Sequence, residues 1–319
     1  MRIYLFIAAA LAGAVVAGLW FFTAPVGGLP VTLPARAPDL ANGEIMFNVG
    51  GCASCHATPN ANPDKLDRRM LGGGLALVSP FGTFYVPNIS PDPTDGIGNW
   101  PEAGFIGALW NGVAWDGHSP PHYLYPAFPY TSYRQMRRDD VRDLFAYLKT
   151  LPAVAGRARG HDLAFPFSIR RLIGGWDLLF LRGAQYTPDA TKSAQWNRGA
   201  YLVNGPGHCA ECHSPRNVLG AIVESQRFAG GPTPDGKGWV PNITPVGLQH
   251  WGKDDVAWSA KDIAGFLSDG QYPDGDYAGG AMAEVVRNTS LLPATDRAAI
   301  AAYVATLPPR EGPKPPKKK

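Results

Sequence analysis

Net positive charge is almost absent from the body of this chain. The formal charge is +3 at pH 7, but four lysines fall in the last six residues, KPPKKK. Without them the rest carries about −1, which removes the basic face that nucleic-acid binding needs. Residues 311–319 read as a basic tail, solvated or touching anionic lipid or an acidic partner. Methionine is scarce too, with Met1, Met46, Met70, Met136 and Met282 the whole supply. Cysteine is limited to Cys52, Cys55, Cys209 and Cys212, two pairs of identical spacing with no thiol left over. Glycine (38) and proline (31) are plentiful, together about a fifth of the chain, which approaches a low-complexity composition. Tryptophans and aliphatic residues spread throughout argue for loop-rich domains rather than disorder. At 319 residues the chain is long enough for two of them.

Each cysteine pair is followed at once by a histidine. Cys52-Ala-Ser-Cys55-His56 recurs as Cys209-Ala-Glu-Cys212-His213. A zinc site needs four ligands, in two pairs close in sequence or one pair with spaced histidines. A thioredoxin-like motif wants a βαβ context and no obligatory histidine. Covalent haem attachment wants what is here: two thiols that add to neighbouring vinyl groups, and a histidine that turns under the iron. Two copies using every cysteine make chance or a structural thiol pair a poor account. They imply two haem c groups, with His56 and His213 as iron ligands, and exclude disulfides and a cysteine-ligated iron. The same count excludes thiosulfate-oxidising di-haem chemistry through a cysteine ligand.

The N-terminus reads MRIYLFIAAALAGAVVAGLWFF, and from Ile3 to Phe22 there are 20 residues without a charge. At about 1.5 Å per residue this is roughly 30 Å, one bilayer core. The run continues past the small residues Ala12-Gly-Ala14 that would suit a cleavage site, which favours an uncleaved transmembrane anchor over residues 1–24. Arg2 marks the inner flank. The expected location is the bacterial inner membrane, with the bulk of the chain in the periplasm, where haem c maturation also requires it to be.

The halves of the chain repeat each other well beyond the cysteines, at an offset that stays between 154 and 158. YVPNISP faces WVPNITP, GALWNGVAWDG faces AGFLSDGQYPDG, and DDVRDLFAYLKTLP faces TDRAAIAAYVATLP. Val141, Leu144, Phe145 and Leu148 form one apolar helical stripe; Ile300, Tyr303, Val304 and Leu307 form its counterpart. Gly43 and Gly199, on the helices before the cysteines, would let two helices cross closely. Ser259 and Asp262 suggest a capping box, and Gly112 and Gly270 the ends of the middle helices. The reading is all-α: two tandem domains at 39–155 and 193–310, preceded by one N-terminal transmembrane helix. Residues 156–192 belong to neither copy and are too apolar for a linker, so they should pack between or across the domains.

A helix, CxxCH, loops and a C-terminal helix crossing the first resembles the class I cytochrome c plan. PNISPDPTDGIGNW, DGHSPPHYLYPAFPYTSYRQM and RGAYLVNGPGHCAECHSPRN further resemble the multi-haem cytochrome c subunits of membrane-bound periplasmic alcohol, aldehyde and sugar dehydrogenases. The similarity covers nearly all of residues 39 to 308. Those subunits usually carry three haems, and this chain has motifs for two.

The resemblance raises the question of the second axial ligand. Met282, between the DG turn and the last helix, sits where a distal methionine ordinarily lies. Copy one has Phe128 where related sequences often read YPAMPY. There the reading is Met136, where the family commonly has a methionine, with His122 as the alternative, or no protein ligand at all. Met46 reads as a core residue, Met70 is too early, and His118 reads as solvent-exposed. His161, His208 and His250 receive no role. Asn88 and Asn242, in the paired VPNI turns, and Trp100 and Trp258 are candidates to hold haem propionates, against turn formation or core packing.

The leading reading is a membrane-anchored di-haem electron carrier with no catalytic residues of its own. It would take electrons from a periplasmic dehydrogenase or quinol-oxidising complex, and pass them to a cytochrome, an oxidase or quinone. A di-haem peroxidase with an open distal site on haem 1, His122 acting as acid–base group, is the alternative. A subunit that mainly tethers a partner through residues 156–192 is a third.

Overall fold

Each copy rests on one helix crossing, and a glycine decides how close it is. In the computed structural model, which describes residues 2–25, 36–60, 66–115, 121–251 and 255–315 apart from the side chains at 8, 9 and 12, α2 (Leu40–Val49) begins at Asp39. The Asp39 carboxylate accepts from the Ala41 and Asn42 N–H groups. α2 crosses α6 (Arg138–Leu148) at Gly43, where a Cβ would lie 2.2 Å from the Asp143 carbonyl oxygen. In copy two α8 (Ala194–Asn204), capped by Ser193, crosses α13 (Ala294–Val304) at Gly199, where a Cβ would lie 1.9 Å from the Ala299 carbonyl oxygen. The two apolar stripes lie buried at these crossings, except that Tyr303 is half-buried and Leu307 lies just past α13.

The middle helices, α4 (Glu102–Asn111) and α11 (Ala260–Asp269), pack on α6 and α13 respectively. α11 opens with a complete Ser259–Asp262 capping box, and both helices end at left-handed glycines, Gly112 and Gly270. The cysteine motifs form two short turns, α3 (Cys52–His56) and α9 (Ala210–His213). α5 (Tyr130–Tyr133), α10 (Pro245–Leu248) and α12 (Gly280–Thr289) complete the two copies.

The all-α expectation requires correction, because short antiparallel strands follow both motifs. β1 (Ala76–Ser79) pairs with β2 (Gly82–Tyr85), and β6 (Gly231–Pro232) with β7 (Trp239–Val240). Each hairpin turns the chain back toward the motif it has just left. A further pair, β3 (Val113–Ala114) with β4 (His122–Tyr123), closes the loop after α4.

Residues 156–192 touch both copies. β5 (Asp162–Leu163) adds to the edge of β2. α7 (Ile173–Phe180) places Asp177 Oδ1 2.7 Å from the Tyr130 hydroxyl in copy one, and donates the Trp176 indole N–H to Leu219 O in copy two at 2.9 Å. The Tyr186 N–H bonds Gln135 O, and its hydroxyl bonds Asn197 Oδ1. Burial pushes the Asp177 carboxyl up to about 7, against the Tyr130 bond and Arg134, which favour its ionised form.

The expected transmembrane anchor is a second correction. α1 (Arg2–Phe22) is a helix of 21 residues, yet among the described residues no helix is long and apolar enough to cross a membrane. Its last turn is tied to the folded body. The Arg171 guanidinium stacks over the Trp20 ring at 4.8 Å and donates to Trp20 O and Thr23 O. The Tyr123 hydroxyl also donates to Thr23 O at 2.9 Å. The inner-membrane location inferred from a single N-terminal anchor at residues 1–24 loses its support with it. His118 and the lysines Lys317, Lys318 and Lys319 of the tail lie outside the described residues.

Two predictions test this account. Gly199→Ala must push α8 and α13 apart and should cost about 1–3 kcal/mol in chemical denaturation. Gly265→Ala, on an open face of α11 with nothing within 4 Å, should instead be neutral or stabilising by roughly 0.5–1 kcal/mol. Because folding raises the Asp177 pKa, its contribution is fully present below the unfolded carboxylate range and is lost as pH rises through about 7. Melting temperatures of Asp177→Asn should therefore fall less than those of the unmodified chain between pH 5 and pH 8.

Candidate haem sites

The fixed point of each site is its motif histidine. His56 Nδ1 lies 2.9 Å from Pro87 O, and His213 Nδ1 lies 2.9 Å from Pro241 O. A carbonyl can only accept, so Nδ1 carries the proton and Nε2 keeps its lone pair. Burial pushes the His56 pKa down to about 4, against the pull of the Pro87 carbonyl, and lowers that of His213 in the same way. Both rings are therefore held neutral, the form that binds a metal.

The hairpins explain how those carbonyls arrive. Pro87 follows β2 directly after Val86, and Pro241 follows β7. The Gly73 N–H donates to His56 O at 2.9 Å, and the Gly230 N–H to His213 O at 2.8 Å. Both glycines are left-handed, with φ of 69° and 75°. A Cβ on Gly73 would lie 2.5 Å from Pro87 O, and one on Gly230 2.6 Å from Val240 O. Only glycine lets the chain leave the motif, fold back and bring a proline carbonyl beneath the histidine.

The thiols are poorly suited to other chemistry. Burial pushes Cys52 and Cys209 up to about 12 each. A thioredoxin-like pair requires a depressed thiol. Among the described residues no group of three or more histidine, cysteine or acidic side chains could hold a metal ion, which removes the zinc reading.

Two buried donors fit a group supplied from outside the chain. The indole nitrogens of Trp258 and Trp110 are buried with no hydrogen-bond partner among the described residues. A partnerless buried N–H is costly, and an acceptor on a bound cofactor resolves it. Trp258 is the residue singled out in copy two. In copy one the orphan is Trp110, while Trp100 packs edge-on against Trp115 at 6.3 Å. Asn88 and Asn242 hold the protein itself. The Asn88 amide donates to Val154 O and Gly156 O, and its oxygen accepts from Ser90 N. Asn242 donates to Arg310 O and accepts from Thr244. These are the bonds of a turn brace, the alternative left open for both.

Of the residues named as second axial ligands, Met136 sits in the turn between α5 and α6, 1% exposed. Its neighbours on either side bond to copy two: Gln135 donates to Asn204 O, and the Arg137 N–H donates to the Tyr201 hydroxyl. Met282 lies in the first turn of α12, partly buried against the core. Phe128 packs on Tyr133 with ring centroids 5.3 Å apart, and His122 is paired through β4 to Ala114 of β3.

The two motifs also meet. His208, just before Cys209, places Nε2 3.2 Å from Gly50 O, and the Tyr133 hydroxyl donates to the same carbonyl at 3.2 Å. Glu211, inside the second motif, accepts from Ser132 and Thr131 of copy one at 2.6 and 2.8 Å, and from Arg216 at 2.6 Å. Burial alone would raise its pKa, but Arg216 and the two hydroxyls hold it below the usual carboxylate range. Ser54, inside the first motif, accepts from Asn288 of copy two at 2.8 Å. Cys55 is near enough to Cys212 for that thiol to raise its pKa. Sequence reasoning missed Pro87, Pro241, Tyr133, Glu211 and this use of His208. The repeated VPN triplet was the only available signal, and it pointed to the asparagine rather than the proline before it.

Two helix crossings, each carrying a CxxCH turn with a neutral, oriented histidine, define a c-type cytochrome of two haem sites. No family model matches the chain. It is 49% identical over 292 residues to the diheme cytochrome c-type protein of Cereibacter sphaeroides, covering 92% of this chain and 93% of that one. It is 40% identical over 282 residues to a nicotinate dehydrogenase subunit of Pseudomonas putida, and 36% identical over 283 residues to the fructose dehydrogenase cytochrome subunit of Gluconobacter japonicus. These cover 87% and 88% of this chain but only 22% and 54% of the relatives. The chain belongs to the di-haem c-type cytochromes, electron-transfer proteins, and carries two covalently bound haem c groups.

Trp258→Phe tests the orphan donor. The loss removes no bond to protein, and the ring keeps its packing against Trp251 and Phe266. Stability should change by no more than about 1 kcal/mol and haem content should stay at two, while one reduction midpoint of the two shifts. Spectroelectrochemistry showing both midpoints unmoved would remove Trp258 from the site.

Proposed function

We propose that this cytochrome relays single electrons from a dehydrogenase to a downstream cytochrome, oxidase or quinone, acting as an electron-transfer subunit without catalytic residues. One observation carries the reading: the two attachment turns touch, so the chain presents two adjoining sites of the same build. The relatives named as dehydrogenase subunits support the choice of donor. Each haem c would supply a reversible one-electron couple at iron.

In this reading Cys52 and Cys55 hold one haem, and Cys209 and Cys212 the other. His56 and His213 present Nε2 to iron, each oriented by its proline carbonyl. Met282 and Met136 supply the distal sulfurs, and the burial of Met136 suits a closed face that excludes water and peroxide. Trp258 offers its N–H to a propionate. The peroxidase alternative needs His122 as acid–base group beside an open face, and the packing of Phe128 on Tyr133 and the strand position of His122 count against it. The tethering alternative needs residues 156–192 for a partner, and much of that segment already bridges the two copies.

Far-red magnetic circular dichroism of the oxidised protein tests the ligand set. Two methionine-ligated low-spin haems are expected per chain, falling to one in Met136→Ala and one in Met282→Ala. A high-spin haem in the unmodified protein would overturn the relay and bring the peroxidase forward.

A further inference from the structure

His208 has a backbone that few non-glycine residues adopt. Its φ is +37°, in the left-handed region, directly before Cys209. Such a conformation is strained in a non-glycine residue and persists only where the surroundings impose it. The surroundings here are copy one. The ring packs edge-on against Tyr133 at 5.5 Å, and Nε2 reaches Gly50 O, two residues before Cys52. Because a carbonyl only accepts, Nε2 carries the proton.

Around this contact the two motifs are cross-linked in both directions. Glu211 reaches from between Cys209 and Cys212 to the hydroxyls of Thr131 and Ser132, which precede Tyr133. Ser54, between Cys52 and Cys55, receives the Asn288 amide from copy two. The residue before the second cysteine is thus used for the same purpose in each motif, although one is a serine and the other a glutamate. Ordinary domain packing would not single out that position twice.

Resting on the relay reading above, we propose that this junction is the electron path between the two haem sites, with His208 as the contact that couples them and Glu211 as the residue that positions it. The covalent and hydrogen-bonded route is short: from Cys209 to His208, across the Nε2–H bond to Gly50 O, then through Gly51 to Cys52. One electron leaves one site and arrives at the other. No bond forms or breaks, and the His208 proton stays on Nε2.

The test uses the full chain with both haems attached. After pulse-radiolytic reduction, the rate of electron exchange between the sites is followed, and the spin–spin interaction of the two ferric sites is measured by electron paramagnetic resonance in frozen solution. His208→Leu should slow exchange at least about tenfold, with haem content and spin–spin interaction unchanged. His208→Gln, which keeps a donor, should recover most of the rate. Glu211→Ala should weaken the spin–spin interaction as well as the rate, and Glu211→Gln less so. An unchanged rate in His208→Leu would overturn the path while leaving the relay standing. Failure of either site in the unmodified protein to take an electron would overturn the relay itself. Should His208→Leu not mature, the unmodified protein decides: a strong interaction between the ferric sites supports the junction, and its absence overturns it.

Discussion

The bond from each motif histidine to a proline carbonyl is the constraint on which the rest of this structure depends. It puts the proton on Nδ1 and leaves Nε2 with its lone pair, while burial keeps the ring neutral against the pull of the carbonyl. To make that bond twice, the chain must leave each CxxCH turn and come back beneath it within a few dozen residues. The hairpins of β1–β2 and β6–β7, and the left-handed glycines Gly73 and Gly230, are the local means of that return. The helix crossings at Gly43 and Gly199 then supply the rigid floor on which the turns stand.

The duplication is symmetric at the motif histidines and asymmetric elsewhere. The motif histidines make the same bond at the same distance, and each helix crossing turns on one glycine. The orphan donors differ, Trp110 in copy one and Trp258 in copy two, and Met136 and Met282 occupy different elements, the turn before α6 and the first turn of α12. Selection acting on one haem environment at a time would produce this pattern, because a reduction potential responds to burial and hydrogen bonding around the site rather than to the axial histidine alone. Residues 156–192 break the symmetry further. They give copy one an added strand and place the half-buried Asp177 carboxyl against Tyr130, a contact without a counterpart in copy two among the described residues.

Much of the site was legible because its chemistry is local. Cys52, Cys55 and His56 lie within one short turn, and a turn of five residues is written in five consecutive letters. The crossing glycines, the apolar stripes and the Ser259–Asp262 box could be read for the same reason. Asn88 and Asn242 were the nearest reading to the true brace, one residue from the carbonyl that matters. A carbonyl belongs to every residue, so no letter announces that Pro87 will be the one to accept. The strands escaped notice because segments of two to four residues have no period to detect. The N-terminal run misled because its length and lack of charge are properties of residues 3–22 alone, whereas the guanidinium that ties down its last turn comes from Arg171.

By itself the sequence determined that two CxxCH motifs stand at 52–56 and 209–213, that the pattern around them is used twice, and that no cysteine lies outside them. These follow from residue identity and spacing over short stretches, where covalent geometry leaves few alternatives. Only the tertiary structure decided which carbonyl orients each histidine, where the N-terminal helix ends its run, and that His208 and Glu211 of one copy close upon Gly50 and Ser132 of the other. Those contacts join residues about 80 or more positions apart, and chain-distant partners are chosen by packing, which no local pattern encodes.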